Sequence, residues 1–527
     1  MTDSTAAVRE LTKARRRQRL AGIHWSDSIY RVYILGLGGG GLVWWVASAL
    51  GKQRLSAEGQ AEFVSWVPAV IGLLLGVAVF GGLRSGLRGG PIPLEPADVT
   101  HLLQSPVSRT ITLRRPAAQQ LRRGAFLGAV GLAIGGRMAS PFAPGTAIRW
   151  TALGALMGAC CGVLWMSVAM IASGRRLRPV PSQAAVLLAT LPVVQSFRSR
   201  SFPAPLQVLG RAARLGAGGG TTRTSDLISL AVLIAGTVGA AIVGLNSATG
   251  LDLGRAQRRA ALVDQMRFAV TTQDLRAVVL LRRQLGDELP RDRPWLTIPS
   301  GRGVERAVIA RSARGIARWP GRRFARLVLI AAVAGLSAGF AWRGALPLFA
   351  VPGLLALMAG LDVVEPLSQD ADHPTLLAGQ PRHRGRLANR LIIVPFLVQA
   401  VAGLFGAAAG VAVVASSSPL SAGLVGAAVG LCVLWAAVGV LAGALSVAFG
   451  PPPLAMMLQT PEVGFFRMAM FPGLAAVLSA LPLVLARLNV QNGSTPGAGL
   501  MRGLLISAVL CYFALTSLTA GGIRDRK

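Results

Sequence analysis

The run LSAGLVGAAVGLCVLWAAVGVLAGALSVAF, Leu420 to Phe449, contains no Asp, Glu, Lys or Arg. About 20 apolar residues in a helix cross the roughly 30 Å hydrocarbon layer of a bilayer, so this run is long enough to span one. Similar runs recur through the chain at about 30–50, 64–83, 124–142, 148–173, 227–246, 327–342, 345–361, 391–414, 467–486 and 500–521. They do not alternate polar and apolar residues as the strands of a membrane barrel do. The chain therefore reads as all-α, a polytopic transmembrane helical bundle with the lipid bilayer as its solvent.

Composition agrees. The 527 residues are 53% hydrophobic and 14% charged, against about 25% charged in soluble domains. The net charge of +33 is carried by Arg, with lysines only at Lys13, Lys52 and Lys527. So basic a chain raises nucleic acid as a partner. The Arg residues, however, crowd polar segments between apolar runs, as the positive-inside bias of membrane proteins requires, and nucleic acid is set aside. Cys160, Cys161, Cys432 and Cys511 lie inside apolar runs and read as small packing residues. His24, His101, His373 and His383 show no metal-ligand spacing, so no metal site is expected.

The polar tail 1–29, with Arg9, Lys13, Arg15, Arg16, Arg17 and Arg19, is expected in the cytoplasm. It is too long for the basic region of a signal peptide, so the first run reads as an uncleaved helix. A first transmembrane half follows over 30–250, then an Arg-rich cytoplasmic insert over 251–326, then a second transmembrane half over 327–527 with its terminus inside. In the insert, Leu262, Met266, Leu275 and Val279 recur at helical spacing. Pro290, Pro294 and Pro299 then break it into loop. Parity demands one more crossing in the first half. It falls near 179–197, PVPSQAAVLLATLPVVQSF, a short Pro-broken stretch that reads either as a span or as a re-entrant helix shielded by protein. With it, each half has six spans.

One polar element occurs twice. PLEPADVTHLLQSPVSR, Pro93 to Arg109, lies between the second and third spans of the first half. PLSQDADHPTLLAGQPRHR, Pro366 to Arg384, has the same place in the second. Shifted by 274 positions, Ala97, Asp98, Leu102 and Leu103 fall on Ala371, Asp372, Leu376 and Leu377. The first copy predicts a helix of about two turns that begins at Asp98 and stops before Pro106. A helix so short is unstable alone in water and has to dock on membrane or protein. Asp98 either caps it or contacts a partner.

The spans carry no acidic residue of the kind that binds a coupling ion in a proton- or sodium-driven carrier; Asp362 and Glu365 sit at a span end, and Asp226 at an edge. No GxxxxGK[ST] phosphate loop is present, and the glycines of GLGGGG, Gly36 to Gly41, lie within a run and suit close helix packing. No catalytic constellation is visible, so the chain is not expected to be an enzyme or to hold a cofactor.

Taken with PLEPADVTHLLQSPVSR and the insert stretch DLRAVVLLRRQLGDELPRDRPWL, Asp274 to Leu296, the span layout resembles the membrane subunit of ATP-binding-cassette transporters, in the ABC-2-like group of actinobacterial permeases. The resemblance implies a multi-pass protein of the bacterial inner membrane, powered from the cytoplasm by one or more separate ATPase subunits that hold ATP and Mg²⁺. It implies an exporter. It places the grip on the ATPase at short coupling helices: Asp98, Leu102, Leu103 and Arg109 in the first half, Asp372, Leu376 and Leu377 in the second. The family commonly has one six-span unit per chain, so twelve spans would make this a fused pair. The residues also leave open an ion-coupled secondary carrier, and a non-transporting anchor or assembly protein.

Overall fold

The computed structural model describes residues 57–92, 94, 99–100, 103, 108–178, 205–217, 224–271, 275–286, 290–299, 303–342, 346–372, 384–415, 422–449 and 461–521, with isolated positions at 10, 14, 17 and 184. These residues form helices and no strand. In chain order they are α1 (Ala57–Leu87), α2 (Arg109–Ala139), α3 (Ala147–Gly174), α4 (Pro205–Gly210), α5 (Thr224–Ser247), α6 (Leu253–Thr271), α7 (Leu275–Leu285) and α8 (Val304–Ala317). Then come α9 (Gly321–Trp342), α10 (Val351–Val363), α11 (Glu365–Asp372), α12 (Arg384–Ala415), α13 (Ala422–Phe449), α14 (Pro461–Gln491) and α15 (Pro496–Gly521).

Among the described residues, nine helices are long and apolar enough to cross a membrane, and the apolar helix Leu348–Val363 is shorter. The protein is thus an all-α, multi-pass helical bundle. The runs expected at 30–50 and 179–197 lie outside the described residues. The run expected at 345–361 opens as a 3₁₀ turn, Leu346–Ala350, before α10 begins with Pro352 in its first turn, where a missing N–H costs nothing.

Two compact units divide the chain, Met1–Asp264 and Gln265–Lys527. The division falls inside α6, so the basic insert contributes α6 mainly to the first unit and α7 and α8 to the second. In the first unit α3 is central: α1, α2 and α5 all pack on it. Small residues set the closest approach. Gly124 and Gly128 of α2 face Gly162 and Gly158 of α3, and a Cβ on Gly158 would overlap the Gly128 carbonyl oxygen.

The second unit repeats this plan. The helices Arg109–Ala139 and Ala147–Gly174 start 275 positions before Arg384–Ala415 and Ala422–Phe449. As α1, α2 and α5 pack on α3, so α10, α12 and α15 pack on α13. Here α9 also lies along α12, with Gly335 against Gly406, and α10 meets α13 at Gly360 and Gly439. The core between them holds Leu357, Val363, Leu391, Trp435, Val438 and Ala475. Two buried polar groups are satisfied across helices: Trp435 Nε1 donates to the Pro352 carbonyl at 3.0 Å, and Gln399 Nε2 to the Ala356 carbonyl at 3.1 Å.

Candidate functional site

Leu103 is buried, 4% exposed, in a small core with Val99, with Leu113 of α2 and with Ala260 of α6; Leu94 and Leu253 pack against it. This side chain anchors its segment to the chain's own helices and offers nothing for a partner to grip. Arg109 opens α2 and is exposed, as are Arg114 and Arg115 in the following turns. Asp98, Leu102, Leu376 and Leu377 lie outside the described residues. In the second half Asp372 is the last residue of the short helix α11. Its N-terminal residue is Glu365, whose negative charge favours that end of a helix.

The helices of the insert are tied to span ends in each unit. In the first, Asp252 accepts hydrogen bonds from the backbone N–H groups of Gly254 (3.0 Å) and Arg255 (3.4 Å) and so caps α6. From α6, Arg255 Nη1 donates to the Leu87 carbonyl at 3.3 Å and Arg259 Nη1 to the Ser85 carbonyl at 3.4 Å. Those carbonyls end α1, where carbonyls lack intrahelical partners; the Ser85 carbonyl also accepts from the Arg88 and Gly90 N–H groups of the following turn. Burial lowers the Arg259 pKa from its usual value, but a guanidinium stays protonated at neutral pH.

In the second unit the tie is a buried charge cluster drawn from four helices. Arg283 of α7 reaches Asp362 at the end of α10 (3.8 Å) and Glu365 at the start of α11 (3.2 Å). Arg323 and Arg326, in the first turns of α9, pair with Glu365 (2.6 Å) and Asp362 (2.8 Å). The Asp362 carbonyl also accepts from Arg283 Nη2 at 2.9 Å and Arg323 Nη2 at 2.6 Å, so two guanidiniums cap α10. All five side chains are a quarter exposed or less. At such burial each charge needs its partners, because an uncompensated charge is expensive.

A second layer fixes the cluster. The Arg323 guanidinium lies 3.6 Å from the centre of the Trp319 ring, a cation–π contact. Trp295 Nε1 donates to the Trp319 carbonyl at 2.7 Å, and Arg291 stacks on Trp295 at 3.8 Å. The proline-rich segment is further held by backbone bonds from Arg291 and Trp295 to the carbonyls of Arg318 and Ala317. An ion pair joins Arg311 of α8 to Asp370 of α11. Another joins Glu305 of α8 to Arg390 of α12 at 2.9 Å.

The sequence places Asp362 and Glu365 at a span end and an Arg-rich stretch over 251–326. Oppositely charged residues flanking a helical hairpin were the available signal for pairing. Arg283 carried none, because its partner Asp362 is 79 positions away. Among the described residues no group of three His, Cys, Asp or Glu is placed to hold a metal ion. The arrangement is mechanical: it joins the insert to the ends of α9, α10, α11 and α12.

No protein-family model, curated protein or solved structure matches the chain.

Proposed function

We propose that this chain is the membrane subunit of an ATP-driven transporter of the ATP-binding-cassette type, working as an exporter, with ATP and Mg²⁺ bound by a separate ATPase subunit at the cytoplasmic face. The observation that carries the reading is the double attachment of the insert. Arg255 and Arg259 hold α6 to the end of α1, and Arg283 holds α7 to the ends of α10 and α11. A push on the insert thereby reaches spans in both units. The sequence supplies no phosphate loop of its own, so the push has to originate in another molecule. The Arg density of the insert and tail favours a cytoplasmic side for them and for both termini, and the resemblance to bacterial permeases favours an inner membrane.

The acids of the charge cluster argue against the ion-coupled alternative. Asp362 and Glu365 are each engaged by two guanidiniums, so their oxygens face fixed cations rather than an open site for a coupling ion.

The test uses the tagged full chain in lipid nanodiscs with the nucleotide-binding protein that co-purifies with it. Hydrolysis of ATP by that partner is expected to rise several-fold when the chain is present. The double charge reversal Arg109→Glu with Arg114→Glu, on exposed positions, is expected to weaken capture without changing the melting temperature. A chain that alone drives substrate uphill on an imposed proton or sodium gradient would overturn the reading.

A further inference from the structure

The proline-rich segment of the insert, 290–299, holds an apolar pair outward. Trp295 is 51% exposed and Leu296 71% exposed. The turn that carries them is nonetheless fixed. Trp295 Nε1 donates to the Trp319 carbonyl, and the Arg291 guanidinium stacks on the indole. The backbone N–H groups of Arg291 and Trp295 donate to the carbonyls of Arg318 at 2.7 Å and Ala317 at 2.8 Å. Single apolar residues scattered over a surface are ordinary. The depth of this pair sets it apart.

Trp319, to which the indole is bonded, stands just before α9, the span Gly321–Trp342, whose charges Arg322, Arg323 and Arg326 all lie in its first two turns. A hydrocarbon layer of roughly 30 Å takes about 20 residues of helix. Counted back from Trp342, those residues end near Arg323. Trp319 and the Trp295 indole then lie in the headgroup layer. A separate contact gives the same level. Ser312 of α8 donates to the Leu391 carbonyl at 3.4 Å, and Leu391 lies in the first turns of the apolar stretch Leu387–Ala415. Charge suits that layer as well. Arg291, Arg293, Arg314 and Arg318 are exposed in the turn and in the last part of the chain leading to α9, and Asp292 is the one acid of 290–299. Indole rings concentrate at membrane interfaces, which accommodate both an apolar body and a polar edge. Arginines at that level are attracted to anionic lipid. A soluble protein would have to displace headgroups to reach the pair.

We propose that the turn at Trp295 and Leu296 is a membrane-interface anchor: the pair inserts among the lipid headgroups at the Arg-rich end of α9, and Arg293 and Arg318 beside it engage the phosphates of anionic phospholipids. The contact is independent of whether the chain transports. The test attaches a bimane fluorophore to Leu296→Cys in the full-length protein, in nanodiscs of mixed phosphatidylcholine and phosphatidylglycerol. Thr297→Cys, also exposed, serves if the first variant does not fold. The unsubstituted chain, labelled alike, gives the background from Cys160, Cys161, Cys432 and Cys511. A lipid bearing a nitroxide on its headgroup is expected to quench the fluorophore strongly, and dissolved iodide weakly. Arg293→Gln with Arg318→Gln is expected to raise iodide quenching at least about twofold with the melting temperature unchanged. Replacing phosphatidylglycerol by phosphatidylcholine is expected to do the same in the chain that keeps both arginines. Full iodide quenching with none from the headgroup nitroxide puts the turn in water and overturns the anchor. So does shielding from iodide that arises only when the co-purifying nucleotide-binding protein is added, which assigns the pair to that protein. Equal quenching in the two lipids and in the double variant overturns the role of the arginines.

Discussion

Both carboxylate oxygens of Asp362 face guanidiniums: Oδ2 meets Arg326 at 2.8 Å and Oδ1 meets Arg283 at 3.8 Å. Its side chain is 9% exposed, so water does little to screen these charges. Replacing Asp362 with Ala takes one carboxylate away from both Arg326 and Arg283, although Arg283 keeps Glu365; removing one partner of a buried pair costs roughly 3–5 kcal/mol. The pair between Arg390 and Glu305 is geometrically as good, at 2.9 Å, but its side chains are 45% and 35% exposed. Pairs so exposed contribute about 0–1 kcal/mol. Thermal unfolding in one detergent is expected to show a large fall in melting temperature for Asp362→Ala and almost none for Glu305→Gln. Equal falls would mean that the cluster is as solvated as the surface. The acids of this cluster were legible in the sequence as charges at a span end. Arg283 was not legible as their partner, because pairing over 79 positions is decided by tertiary packing that no local pattern encodes.

Helices show a similar division. The apolar runs were legible because a bilayer demands long uncharged stretches. Their ends were less so: the run at 124–142 belongs to α2, which begins at Arg109. Its early turns carry exposed arginines that a hydropathy reading excludes but a helix accepts at little cost. The contact between α2 and α3 offers a sharper test. On α2, a Cβ at Gly128 would overlap the Gly158 carbonyl oxygen, whereas a Cβ at Gly131 meets nothing within 4 Å. Gly128→Ala is expected to cost on the order of 1–3 kcal/mol through forced separation of the helices. Gly131→Ala, on the open side, is expected to leave stability unchanged or slightly raised. Leu103 changes the expectation for the repeated polar element in the same way. Because it is buried with Leu113 and Ala260, Leu103→Ser is expected to destabilise the first unit by roughly 2–4 kcal/mol, measured as a lower melting temperature. Loss of a partner in that variant would follow from unfolding, and only exposed positions such as Arg109 report on contact itself.

At the scale of the whole molecule, two features meet. Helix starts recur at an interval of 275 positions with the same packing partners, and the insert grips the end of one helix packed on the central one in each unit, α1 at Leu87 and α10 at Asp362. The grips differ in chemistry. Arg255 and Arg259 reach backbone carbonyls at 3.3 and 3.4 Å, while Arg283 reaches a buried carboxylate and a partly buried one as well as a carbonyl. The second is therefore the firmer link, and removing Arg283 is the substitution that tests it most directly. Arg283→Ala leaves Asp362 with Arg326 and Glu365 with Arg323, so the buried acids keep a cation each. The fold is expected to survive while α7 comes loose, visible as faster amide hydrogen exchange over Leu275–Leu285. Under the proposed mechanism, stimulation of the partner's ATP hydrolysis then falls about tenfold, the equivalent of one lost charge-assisted hydrogen bond, while capture of the partner is unchanged. Arg283→Lys, which restores charge without the forked geometry, recovers part of the stimulation. Should α7 exchange freely in Arg283→Ala while stimulation stays at the wild-type level, force does not travel through this link, and the insert serves only to hold the unit together.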